Sequence, residues 1–103
     1  MSTNATYIAG SFSAQVGIFA DILPEDKARD YLQIQNKGTS NVFVNFGLAS
    51  GASEANSILL APGAFYEPFT APVNPISVAV DSLGSGAAEV WFASDASTSV
   101  TAS

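Results

Sequence analysis

Along most of this chain apolar and polar residues alternate one for one. The clearest stretch is Arg29–Gly47. Leu32 and Ile34 alternate with Tyr31, Gln33 and Gln35, and beyond the cluster Asn36–Asn41 the residues Val42, Val44 and Phe46 alternate with Phe43 and Asn45. Period-2 alternation on both sides of a Gly/Asn/Ser cluster predicts two antiparallel strands joined as a hairpin. Upstream, short strands are predicted near Tyr7–Phe12 and Gln15–Leu23. Gly10 and Gly17 within them mark bulges or places of close backbone approach. Pro24–Ala28 reads either as a single helical turn with proline at its first position or as a charged loop.

Downstream, Leu48–Asn56 is a run of small residues without periodicity, a surface loop. Ser57–Leu60 reads as a short strand. Ala61-Pro62-Gly63-Ala64 has proline and glycine at the second and third positions of a type II turn. Phe65–Phe69 reads as the return strand, followed by an extended connection through Pro72 and Pro75. Pro75–Asp81 and Ala87–Ala93 are the last two predicted strands, separated by the turn Ser82–Gly86. No window of helical length keeps helical spacing. Seven or eight short strands with frequent turn signals predict an all-β fold, an antiparallel β-sandwich or jelly-roll-like small barrel. It is one domain over residues 1–103, with 1–6 and the Ser/Ala/Thr-rich 94–103 as frayed ends or extended arms. The expected core is Leu32, Ile34, Val42, Val44, Phe46, Ile58, Leu60, Phe65, Ile76, Val78, Val80, Val90 and Phe92.

Composition narrows the function classes. The chain is 48% hydrophobic and only 12% charged, too apolar for a disordered segment and lightly charged for a freely soluble monomer. It has no cysteine and no histidine, so disulfides, thiolate metal sites and imidazole general bases are excluded. Net charge is −6 and all three basic residues, Lys27, Arg29 and Lys37, fall in one short segment. A nucleic acid would be repelled, and the surface suits a basic protein partner or simple solubility. No apolar run is long enough to cross a membrane. The start of the chain lacks a basic region followed by an apolar one, so no secretory signal peptide is expected.

Candidate chemistry is sparse. Glu67 and Glu89 are the conceivable paired carboxylates of a glycosidase, set against isolated charges on strand faces. Asp21, Glu25, Asp26 and Asp30 cluster like calcium ligands, but their spacing fits no EF-hand loop and Lys27 and Arg29 stand among them, so a local ion-pair network is expected. No serine has an activating partner in the sequence, and no glycine pattern cradles phosphate. The reading is a non-enzyme without cofactor, metal or small-molecule substrate. If alternation holds, Phe43 and Trp91 point away from the core. They are then either covered by loops and termini or part of a protein interface. The candidate interface residues are Tyr7, Phe43, Trp91, Arg29 and Lys37.

One succession of residues carries a resemblance. Arg29, Leu32 and Ile34-Gln35-Asn36 are followed by Val42-Phe43-Val44-Asn45-Phe46-Gly47, then Leu60-Ala61-Pro62-Gly63, Tyr66-Glu67 and Pro75-Ile76-Ser77-Val78. Over this span, about half the chain, the sequence resembles small β-sandwich virion structural proteins of tailed bacteriophages, and most of all capsid decoration, or cement, proteins. The resemblance implies a jelly-roll-like sandwich made in the host cytoplasm and seated on the capsid surface of the virion. Its implied partners are the major capsid protein and copies of itself, as a trimer over capsid junctions, and no catalytic residues come with it. The alternative reading is a tail- or fibre-associated module that binds a receptor or glycan, with Trp91 and Glu89, or Phe43 and Asn45, as its contacts. A third is a bacterial homo-oligomeric structural protein.

Overall fold

The computed structural model describes residues 3–99, with side chains for 7–96. Within them the strands are β1 (Thr3–Ala14), β2 (Ala20–Leu23), β3 (Arg29–Asn36), β4 (Val42–Asn45), β5 (Ile58–Leu60), β6 (Phe65–Tyr66), β7 (Ile76–Val80) and β8 (Ala88–Ser99). They form two four-stranded antiparallel sheets, ordered β1-β8-β3-β6 and β2-β7-β4-β5. Every consecutive pair of strands changes sheet except β4 and β5. This connectivity makes the sandwich a jelly roll.

The topology corrects the predicted hairpin. β3 and β4 do not pair. β3 pairs with β8 and β6 in one sheet, and β4 pairs with β5 and β7 in the other. The segment 37–41 is a corner between sheets. Alternation shows which face of a strand is buried, and both strands bury one face in the same core, but it is silent on the partner. The expected return strand after the Pro62-Gly63 turn is corrected in the same way. It shrinks to Phe65–Tyr66 and pairs with β3, across the sandwich from β5. The turn itself is as expected, with Gly63 at φ 83° and Ala64 N–H donating to Ala61 O at 2.9 Å.

Three other segments differ from the pattern. The predicted strand Gln15–Leu23 breaks at Gly17, which adopts φ 70° and donates to Val80 O at 2.9 Å, so regular pairing resumes only at Ala20. Pro24–Ala28 is loop, without a helical turn. β1 and β8 are each 12 residues long, because Thr3–Ala5 pair with Ser97–Ser99 in a two-stranded extension of the first sheet beyond the end of β3. Part of both expected arms is therefore paired strand, while residues 1–2 and 100–103 lie outside the described residues. The loop 48–56 holds two single 3-10 turns, Ala49–Gly51 and Glu54–Asn56.

The core is close to the expected one. Leu32, Ile34 and Val90 of the first sheet face Val42, Val44, Leu60, Ile76, Val78 and Val80 of the second, and Ala14, Leu23 and Ala88 join them. Phe46, Ile58 and Phe92 are partly buried against this cluster. Each fully buried aliphatic side chain contributes about 1.5–3 kcal/mol. Phe65 is the exception, with 57% of its surface exposed. The inward position next to it belongs to Tyr66, whose ring sits 5.5 Å from that of Phe46 at 45° and joins the two sheets at one end.

Candidate interaction surface

The outer face of the β1-β8-β3-β6 sheet carries the densest set of side chains able to recognise a partner. Val90 and Phe92 point into the sandwich, so Trp91 between them points out. Its neighbours across the sheet are Ser11 on β1 and Gln35 on β3, and Gln35 is in turn opposite Phe65 on β6. Ser11, Trp91, Gln35 and Phe65 thus make one row across all four strands. Further along the strands, Ala9 and Gln33 flank Ala93, and Tyr7 and Tyr31 flank Asp95. Ala93 is only 1% exposed, so the larger side chains around it close over it. One carboxylate oxygen of this face, Asp95 Oδ1, is buried without a hydrogen-bond partner.

The polar groups here are held in place. The Tyr31 hydroxyl lies 2.9 Å from Glu67 Oε2 and 3.0 Å from Gln33 Oε1. Its single proton can go to either acceptor. The hydrogen bond to Glu67 favours the neutral phenol and raises the Tyr31 pKa above its ordinary value. Glu67→Gln is expected to bring the alkaline titration of Tyr31, followed by NMR of the ring, back down toward that of free tyrosine. An unchanged midpoint would show that the carboxylate does not touch the hydroxyl in solution. Gln35 Nε2 donates to Gly63 O at 3.2 Å, which fixes its amide beside Trp91.

The five residues singled out from sequence do not form one surface. Tyr7, 61% exposed, and the half-buried Trp91 share the face just described. Phe43 lies on the opposite side of the sandwich, half-buried on the outer face of the second sheet, where it pairs with the exposed Leu59. Lys37 is exposed just beyond β3, its N–H donating to Glu89 O at 2.8 Å. Arg29 is a correction. It is 5% exposed and its guanidinium donates to Pro72 O (3.0 Å), Asn74 O (2.8 Å) and Pro24 O (2.6 Å). Burial lowers its pKa, against the opposing charge of Asp26. It is a structural tie and cannot meet a partner. Sequence reasoning missed Phe65 as a surface aromatic and did not single out the outward Tyr31, since only the strand register places them beside Gln35 and Asp95.

The remaining candidate chemistry is dispersed. Glu67 follows β6 and Glu89 stands near the other end of β8, two strands away. Strand spacings put their backbones roughly 16 Å apart, outside the reach of a glycosidase pair. Within the acidic cluster, Asp21 accepts from Ala49 N–H at 2.8 Å and Asp26 from Ala28 N–H at 3.0 Å, while the Arg29 guanidinium donates to carbonyls and feels the charge of Asp26. Among the described residues no group of three or more His, Cys, Asp or Glu side chains converges as a metal site would require. An open polar hollow between 39–41 and 81–85 contains Asp81, whose Oδ1 is taken by Leu83 N–H at 3.0 Å.

A second feature concerns an edge. β1 borders its sheet and pairs only with β8 among the described strands. Its twelve residues contain no charge and no proline. Edge strands are usually blunted by such residues, by brevity or by bulges. The other three edges follow that rule. β6 has two residues, β5 has three, and β2 has four with Asp21 among them and a register shift.

No protein-family model matches the chain, and no curated protein matches it in sequence. Among solved structures it is similar to a chain from Bacillus endospore appendages, described as a novel family of disulfide-linked pili. The TM-score is 0.59 with 13% identity, over 95% of this chain and 90% of that one. At that identity the likeness is one of fold.

Proposed function

We propose that this chain is a structural subunit of a repetitive assembly, and specifically a virion decoration protein that binds a capsid exterior, contacts copies of itself and stabilises the shell. The observation that carries the reading is β1, a twelve-residue edge strand with none of the features that normally prevent strand addition. A subunit whose work is to bridge neighbours needs such an edge and needs no assembled catalytic group. The sequence resemblance over Arg29–Val78 supports a virion setting. The jelly roll supports it more loosely, since a chain of similar fold belongs to pili. Those pili are disulfide-linked, a mode closed to a chain without cysteine, so copies of this chain would be joined by strand pairing and surface burial.

The test uses capsid shells and the Ile8→Lys variant. Ile8 lies mid-β1, is exposed, and is on the face opposite Tyr7, so lysine there charges the edge without opening the core. The wild-type protein is expected to saturate shells and raise the temperature at which they fail. Ile8→Lys should keep the melting temperature of the free domain within a few degrees and lose at least tenfold in shell affinity. Imaging that places this chain inside a tail, or shells that bind none of it, would overturn the proposal.

A further inference from the structure

We propose that the outer face of the β1-β8-β3-β6 sheet is a binding platform for a neutral polysaccharide. This goes beyond a structural role, because it gives an assembled shell a way to hold a cell surface or an extracellular glycan. Three observations combine. The first is spacing. Trp91 and Phe65 lie on one row with Gln35 between them, so their strands are two interstrand steps, about 10 Å, apart. That is about the length of a disaccharide, and two rings at that separation can each meet the C–H face of one pyranose. The Trp91 indole N–H makes no hydrogen bond among the described residues and is left as a donor.

The second observation is the kind and fixity of the polar groups. Sugar hydroxyls are both donors and acceptors, and side-chain amides and carboxylates match them two atoms at a time. Gln35 is tied through Nε2 to Gly63 O, which leaves its Oε1 for a ligand. Gln33, Tyr31 and Glu67 are held by one another. Groups already fixed lose less entropy when a ligand arrives.

The third observation is charge. Glu67, Glu89 and Asp95 all lie on or beside this face, while the exposed Lys27 and Lys37 stand beyond the two ends of β3 and Arg29 is buried. An anionic glycan or a nucleic acid would meet three carboxylates, whereas a neutral polyol would meet three acceptors for its hydroxyls. A flat site of this size binds weakly, and a lattice of copies would raise avidity without further contacts.

The experiment is an NMR titration of the isotope-labelled domain with malto-, cello- and chito-hexaose, run beside sialylated and sulfated oligosaccharides. The expected result is saturable shifts of the Trp91 indole and the Gln33 and Gln35 amides with at least one neutral hexaose and none with the anionic set. Trp91→Ala should weaken binding at least tenfold, and Phe65→Ala and Gln35→Ala severalfold. Phe65 is exposed, so its variant reports even if Trp91→Ala fails to fold. Ile8→Lys should leave glycan binding unchanged, which separates this proposal from the one about shells. The platform is overturned by silence toward all three neutral hexaoses, by a preference for the anionic ligands, or by unchanged affinity in both aromatic variants. It is also overturned if the same signals shift with protein concentration alone, since the face would then be a contact between copies.

Discussion

Asn36→Leu is expected to cost the domain about 3–5 kcal/mol, the largest loss foreseen for a single side chain of similar volume. Asn36 is fully buried at the end of β3. Its Nδ2 donates to Ser40 O at 2.7 Å and to Leu60 O at 2.9 Å, and its Oδ1 accepts from Gly38 N–H at 2.9 Å. Its own backbone N–H and C=O bind Ala64 O at 2.9 Å and Gly63 N–H at 2.8 Å. One residue therefore holds both the 37–41 corner and the Pro62-Gly63 turn, the two places where the chain leaves β3 and β5 for the opposite sheet. Leucine fills the space but leaves three main-chain groups without partners, the Leu60 carbonyl buried and the Ser40 and Gly38 groups part-buried, at about 1–3 kcal/mol each before relaxation. Against a total stability of about 5–15 kcal/mol this is a large fraction. The melting temperature should fall by roughly 15–30 °C. Asn36→Asp offers a second reading of the same site. A carboxylate facing two carbonyls in a buried position has its pKa raised, so that variant should be weakest at neutral pH and regain stability as the pH falls through the raised value. Urea unfolding that places Asn36→Leu within about 1 kcal/mol of the parent would refute the account.

Asn36 also shows where sequence reasoning reached and where it stopped. Inward positions along β3 run Leu32, Ile34, Asn36, whereas the sequence assigned Asn36 to the turn cluster and left it out of the expected core. A buried amide demands partners from more than one segment, and that demand is a sign of a corner. The hairpin reading passed over it because a Gly/Asn/Ser cluster serves a tight turn and a sheet-to-sheet crossing equally well. Strand positions and the core followed from period 2, since one face of every strand is buried in the same interior. Strand partners did not, because in a jelly roll they are set by contacts far apart in sequence. Phe65 fell on the wrong side for a related reason. A strand of two residues has no alternation to read, and only its register with Ile34 and Gln35 decides that Tyr66 turns in and Phe65 turns out. The candidate surface was half legible. Trp91 and Tyr7 lie on the outer face of the first sheet, while Phe43 lies on that of the second.

Arg29→Met is expected to cost about 2–4 kcal/mol, less than the change at Asn36, and to loosen two loops while leaving the sandwich folded. Strict alternation from Leu32 and Ile34 would turn Arg29 outward with Tyr31 and Gln33. The pairing of β3 with β8 shifts register between Arg29 and Tyr31, and a shift of one residue exchanges the faces. The side chain is thereby sent inward, where it gathers the carbonyls of Pro24, Pro72 and Asn74. A charged donor makes each hydrogen bond stronger than a neutral one. Part of that gain is offset by desolvation of the guanidinium, whose Nε is buried without a partner. Methionine keeps most of the packing and removes all three bonds, and the part-buried carbonyls can then turn to water, whereas the Leu60 carbonyl held by Asn36 is buried, which is why the cost stays below that at Asn36. Lysine should recover only a fraction, because one ammonium cannot span three acceptors as a planar fork does. The readout is local. Asp26 N–H donates to Val73 O at 2.9 Å, joining the same two loops, and its amide exchange should quicken at least tenfold in Arg29→Met while the amides of β7 stay protected. Unchanged exchange at Asp26 would mean that the guanidinium does not hold the loops together. It would also return Arg29 to the surface, where the sequence first placed it as a contact for a partner.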